Sequence, residues 1–217
     1  YWGTLGILYN TRLVDEKVDS WDILFNPKYS GQIIMENSVR DSFVPALKML
    51  GYSINTDNTD ELDEAEKILI EQRPMVQAYL LDSARDEMIA ENAAIALVYS
   101  GEAPYATEYN DDLAYVVPKE GSNVWVDSWA ITKDCKNTEN AEFLNYLLRG
   151  DISKISFEYN HYGMPNKKLA EILPAKYTED PALFPPSDVL DNCEIFRSLD
   201  RGTQDYYSRL WKEIKLD

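Results

Sequence analysis

A chain of 217 residues is long for one simple domain and short for two full ones, so it suits one complete α/β lobe plus part of another. Its 38 acidic and 21 basic residues leave a net charge of −17, which repels nucleic acid and anionic lipid and draws cations, and so excludes DNA, RNA and membrane-surface roles. No run of about 18 apolar residues is present to cross a bilayer. Cys135 and Cys193 lie far apart and outside any C-x-x-C, which predicts two free thiols rather than a disulfide framework or a zinc site. The opening Tyr1-Trp2-Gly3, with no initiator Met and no signal region, reads as part of something longer.

Residues 2–9 (WGTLGILY) predict a strand, and Trp21–Phe25 followed by Asn26-Pro27 predicts a short helix stopped by the proline. Gly31–Met35 is a β-branched run closed by a polar stretch from Glu36 to Asp41. Residues 42–50 then carry Phe43, Ala46, Leu47 and Leu50 at helical spacing, with Pro45 near the start and Gly51 as the stop. Ligands bind at the carboxyl ends of strands in open α/β sheets, which makes Glu36, Ser38 and Asp41 candidate site residues. Helix capping by Ser38 or Asp41 is the competing assignment.

Residues 59–73 place Leu62, Ala65, Ile68 and Leu69 on one face and acids on the other, an amphipathic helix ending at Pro74. Residues 76–80 form a strand, and Ser83-x-x-Asp86 has the pattern of a capping box opening a short helix. The nearly all-apolar AAIALVY of residues 93–99 predicts a strand covered on both faces, ending at a binding-loop position, Tyr99-Ser100-Gly101. After a strand at 113–117, a Gly/Ser/Asn turn leads into Val124–Trp129. There Trp125, Asp127 and Trp129 fall at period two and should project from one face. An indole wall beside a carboxylate suits a ligand that is both cation and hydrocarbon. A half-buried strand with core tryptophans and Asp127 capping a turn has the same alternation.

Beyond Ile131 the pattern turns helical. Residues 138–148 predict a helix with a C-terminal glycine at Gly150, 151–159 a second, and 167–172 a short one. A proline-rich irregular stretch (174–186) precedes a closing helix over 203–214. The single histidine, His161, sits in no H-E-x-x-H or G-x-S-x-G setting, and neither G-x-G-x-x-G nor G-x-x-x-x-G-K-[ST] occurs, which argues against metal hydrolysis, serine-triad chemistry and nucleotide use. A carboxylate-pair glycosidase stays open as an alternative, since acids and tryptophans also line sugar sites.

Several motifs occur in a telling order: Trp2-Gly3-Thr4, Ser20-Trp21-Asp22-Ile23-Leu24 with Pro27-x-Tyr29-x-Gly31, Leu50-Gly51-Tyr52-Ser53, Pro118-Lys119-Glu120-Gly121 with Trp125-x-Asp127-Ser128, Asn145 to Arg149, and Tyr162-Gly163-x-Pro165-Asn166. Together they make nearly the whole chain, Trp2 to about Trp211, similar to the spermidine/putrescine-binding proteins of polyamine ABC importers. The resemblance implies an α/β, periplasmic-binding-protein-like (type II) two-lobe fold with the ligand held between lobes, no cofactor, no metal and no catalysis. It implies ABC permease subunits as partners and a periplasmic or extracellular location. Residues 5–124, completed by 167–217, would be a full second lobe. Residues 125–166 would be hinge and remnant of a first lobe whose N-terminal part is missing.

By the same resemblance, Trp125 and Asp127 stack on and neutralise the ligand, Tyr99 stands where the best-known members have a tryptophan, and Tyr162 precedes the Pro-Asn turn. The two amine-binding acids map to Ser38 and Asp41. Ser38 loses one of them unless Glu36 compensates, and a family glutamine is replaced around Phe196. These departures tilt the expectation toward putrescine, with Asp41 and Asp127 as the two ammonium ends and Trp125, Tyr99 and Tyr162 as the apolar sleeve. A related binder for another solute would share the fold and ignore diamines.

Overall fold

Alternation along the strands sets the architecture, and the computed structural model describes residues 1–216 of it. The strands are β1 (Trp2–Asn10), β2 (Ile33–Glu36), β3 (Val76–Leu80), β4 (Ile95–Tyr99), β5 (Leu113–Val116) and β6 (Val124–Val126). Their sheet runs β3-β2-β4-β1-β5, with β6 paired to the first residues of β1. Strand β2 is parallel to β3 and β4, whereas β1 is antiparallel to β4, β5 and β6.

Odd and even positions feed separate cores. Leu5, Ile7, Ile33, Met35, Ile95 and Leu97 face one layer, and Leu8, Ile34, Ala96 and Val98 face the other. The first layer is covered by α1 (Val39–Met49) and α2 (Thr59–Gln72), the second by α3 (Ser83–Ile89) and α4 (Glu102–Tyr109). This double cover is why AAIALVY carries no polar face. Next come α5 (Asn140–Leu147), α6 (Gly150–Asn160) and the one-turn helices α7 (Lys167–Ala170), α8 (Ala175–Thr178) and α9 (Ser187–Leu190). The closing helix α10 (Arg201–Leu216) returns to the first layer, burying Tyr207, Leu210, Trp211 and Ile214. Tyr207 packs edge-on against Phe43 at 5.2 Å.

Local signals misplace four boundaries. Helix α1 starts at Val39, so Pro45 lies in its interior rather than near its start. The missing N–H there leaves the Asp41 carbonyl without its helical donor. Pro27 does not simply stop the Trp21–Phe25 turn; it opens a second 3₁₀ turn, Pro27–Tyr29, at a position where no N–H is needed. Ser83 and Asp86 form no capping box: Asp82 is the N-cap residue without a side-chain cap, and Asp86 pairs with Arg85. Gly150 opens α6 instead of ending α5, whose last turn closes on Leu148. Both cysteines are free.

Candidate functional site

The strand directions converge on one edge. Parallel β2, β3 and β4 all end there, and antiparallel β1 begins there, its Leu5 opposite Tyr99 and its Gly3 opposite Trp125. Residues just past three strand ends and at the start of a fourth therefore surround the same space. That space is a cavity of about 620 Å³ lined by Asp41, Asp82, Tyr99, Trp125, Asp127 and Tyr162, with Tyr1, Asn123, Asn160 and Phe196 completing the wall. Among the described residues, no Lys, Arg or His side chain contributes to the lining.

Asp41 forms its deep end. It is 6% exposed and accepts hydrogen bonds from Ser38 Oγ at 2.5 Å, Tyr99 Oη at 3.0 Å and Asn123 Nδ2 at 3.4 Å. Ser38 occupies the N-cap position of α1 but makes no cap bond; its hydroxyl serves Asp41 and it does not itself line the cavity. Glu36 is also outside the lining, buried at the end of β2, where its pKa is pushed up to about 8, chiefly by burial and then by Asp41, Asp82 and Glu102.

The sleeve is a run of edge-to-face aromatics. Trp125 meets Tyr99 at 5.9 Å and Tyr162 at 5.4 Å, a geometry that aligns positive ring edges with negative faces. Burial and the neighbouring Asp41 raise the Tyr99 pKa, and burial and Glu102 raise that of Tyr162, so both phenols stay donors. Tyr162 donates to Glu102 at 2.6 Å, and Glu102 in turn holds Arg85 at 3.1 Å. Two glycines admit these rings. A Cβ on Gly3 would stand 2.8 Å from the Trp125 ring and 2.6 Å from Ser100 Oγ, and one on Gly101 would overlap the Tyr162 ring.

The opposite end is open. Asp127 is exposed, tied to the fold through its backbone N–H, which donates to the Tyr1 carbonyl at 2.8 Å. Strand β6 stops at Val126, so the period-two face expected for Trp125, Asp127 and Trp129 holds only for the first two. Trp129 is 78% exposed and lines a separate surface pocket with Tyr1, Asp127 and Ser128. Asn123, Tyr1 and Asn160 join the cavity without any local sequence signal. Asp82, two residues past the strand predicted over 76–80, is the fourth lining residue that the sequence did not single out.

An open α/β sheet with a solute-sized cavity at its strand ends is the architecture of the periplasmic-binding-protein-like class. The chain belongs to the family of bacterial extracellular solute-binding proteins, which matches residues 1–185. It is 31% identical over 214 residues to the spermidine/putrescine-binding periplasmic protein of Escherichia coli, covering 96% of this chain and 62% of that protein. A putrescine-binding periplasmic protein of Pseudomonas aeruginosa is 30% identical over 233 residues, covering 99% and 63%. The solved spermidine/putrescine ABC transporter substrate-binding protein of Streptococcus pneumoniae superposes with a TM-score of 0.90 at 35% identity, covering all of this chain and 67% of that one. The chain thus spans a little under two thirds of the curated relatives it matches.

Proposed function

We propose that this chain is the greater part of an extracytoplasmic polyamine-binding protein that captures putrescine or spermidine and hands it to an ABC permease without chemical change. The observation that carries this reading is the cavity lining: three carboxylates, Asp41, Asp82 and Asp127, around an aromatic sleeve of Tyr99, Trp125 and Tyr162, with no cationic side chain. An α,ω-diamine needs a counter-charge for each ammonium as it leaves water and an apolar surface for its methylenes. The named activities of the relatives support the same ligand class.

Within this reading Asp41 and Asp127 take the two ammonium ends, Tyr99, Trp125 and Tyr162 pack on the chain between them, and Ser38 and Glu36 act from behind Asp41. Residues 5–124 with 167–217 make one lobe, and 125–166 belong to the hinge and the other lobe. Apolar side chains exposed along the second segment, among them Trp129, Phe143 and Tyr159, would then pack against the part of the other lobe that the matched relatives have in addition. Closure of the two lobes would hide the ligand and offer the permease a changed surface. Titrating the full-length protein calorimetrically with putrescine, spermidine and an uncharged diol of equal length tests this: saturable heats with the amines alone are expected. Binding of the diol, or of neither amine, would overturn it.

A further inference from the structure

We propose that Glu36 stands as a neutral acid in the empty site and gives up its proton when an ammonium settles beside Asp41, so that capture of the cation is coupled to proton release. The proposal rests on the polyamine reading for its ligand, but its starting point is the geometry around one side chain. Glu36 ends β2 and is 2% exposed. Among the described residues no hydrogen bond reaches its carboxyl oxygens.

The groups facing it are acids. Asp41 approaches from α1, Asp82 from the loop before α3, and Glu102 from the first turn of α4. The nearby donors are engaged elsewhere: Tyr99 on Asp41 and Tyr162 on Glu102. So are the cations. Arg85 is paired with Glu102 and Asp86, both at 3.1 Å. Arg40 turns to the carbonyls of Arg197 and Ile54 and lies over the Phe196 ring at 4.0 Å. Lys215 stops at the amide oxygen of Asn37, 3.0 Å away.

An ionised Glu36 would thus be a nearly fully buried charge with three acids about it and, among the described residues, neither donor nor counter-ion, which the neutral form avoids. The same surroundings account for a pKa near 8 against an ordinary 4.5. A captured ammonium reverses the local field. It supplies the missing opposite charge, the carboxyl O–H bond breaks, and the proton passes to water or buffer.

The sign of the pH dependence follows. In the empty protein the proton on Glu36 stabilises the fold below the ordinary carboxyl range, and this contribution is lost as pH rises through about 8. Binding behaves oppositely: affinity rises with pH up to about 8, by as much as about tenfold per pH unit, and then levels.

Two measurements on the full-length protein separate this from the polyamine reading. The first needs no ligand: between pH 6 and about 8.5 the unfolding midpoint of the wild type should fall relative to that of Glu36→Gln. Parallel curves overturn the proposal. The second is calorimetric titration of putrescine and spermidine at pH 7 in buffers of differing ionisation enthalpy. Release of roughly 0.5–1 proton per ligand is expected for the wild type and none from Glu36 in Glu36→Gln. Asp82→Asn should move the pH at which affinity levels downward, an effect that loose packing alone does not produce. Tight binding without proton release overturns the coupling and leaves the polyamine reading intact. Failure of both amines to bind at any pH overturns that reading, and the coupling with it.

Discussion

The two ends of the cavity are built by regions of contrasting construction. Around Asp41 the sheet is covered on both faces, and Trp21, Phe43, Leu5 and Ile33 are wholly buried. Around Asp127 the backbone leaves β6 and enters a segment whose first helix, α5, buries none of its residues; Phe143 on that helix is 60% exposed. The carboxylates inherit this difference. Three side-chain hydrogen bonds orient the Asp41 carboxylate before any ligand arrives, whereas Asp127 is held through its backbone, by bonds to and from Tyr1. Under the proposed polyamine reading, one ammonium subsite would be preorganised and desolvated, and the other adaptable and wet. Most of the binding energy would then come from the deep end.

That asymmetry can be broken or sharpened by substitution. Trp21→Ala should have the largest effect, destabilising the chain by about 3–5 kcal/mol in a denaturant titration, because it empties a core site and orphans the Gly121 carbonyl that the indole N–H now meets at 2.9 Å. Asp41→Asn should weaken putrescine binding by about 3 kcal/mol, with the loss persisting at high salt, since the site is shielded from solvent. Asp127→Asn should cost only about 1 kcal/mol, fading in high salt as exposed pairs do. Equal losses at the two ends, or equal salt sensitivity, would break the comparison. Phe143→Ser should change the stability of this chain by less than about 0.5 kcal/mol, because the ring has little burial to lose. A larger effect would show that α5 is packed more tightly than its exposure indicates.

Much of the frame was readable because burial writes itself into residue order. The two-sided cover of β4 shows as an unbroken apolar run, and the amphipathic stripe of α2 places its buried face at Leu62, Ala65 and Leu69. Boundaries failed where a residue has two uses. Pro45 tolerates a helix interior as well as a start, and Gly150 serves the head of α6 as readily as the tail of α5. In the site, Asp41 and Tyr99 follow from strand ends, and Trp125 with Asp127 from period two. Asn123, Asn160 and Tyr1 meet them only through the antiparallel return of β1, a long-range pairing without a local signature. Trp129 shows the reverse error: the alternation continues on paper after the strand has ended.

Gly3 and Gly101 present no side chain to a solute, yet each leaves the room that an indole or phenol ring of the sleeve occupies. In a saturation library sorted by ligand capture they will score like contact positions, tolerating almost nothing. A map of tolerance drawn from such a library would outline the space behind the sleeve as well as the surface in front of it. Specificity in this cavity is thus inherited partly through positions where the chain has agreed to put nothing.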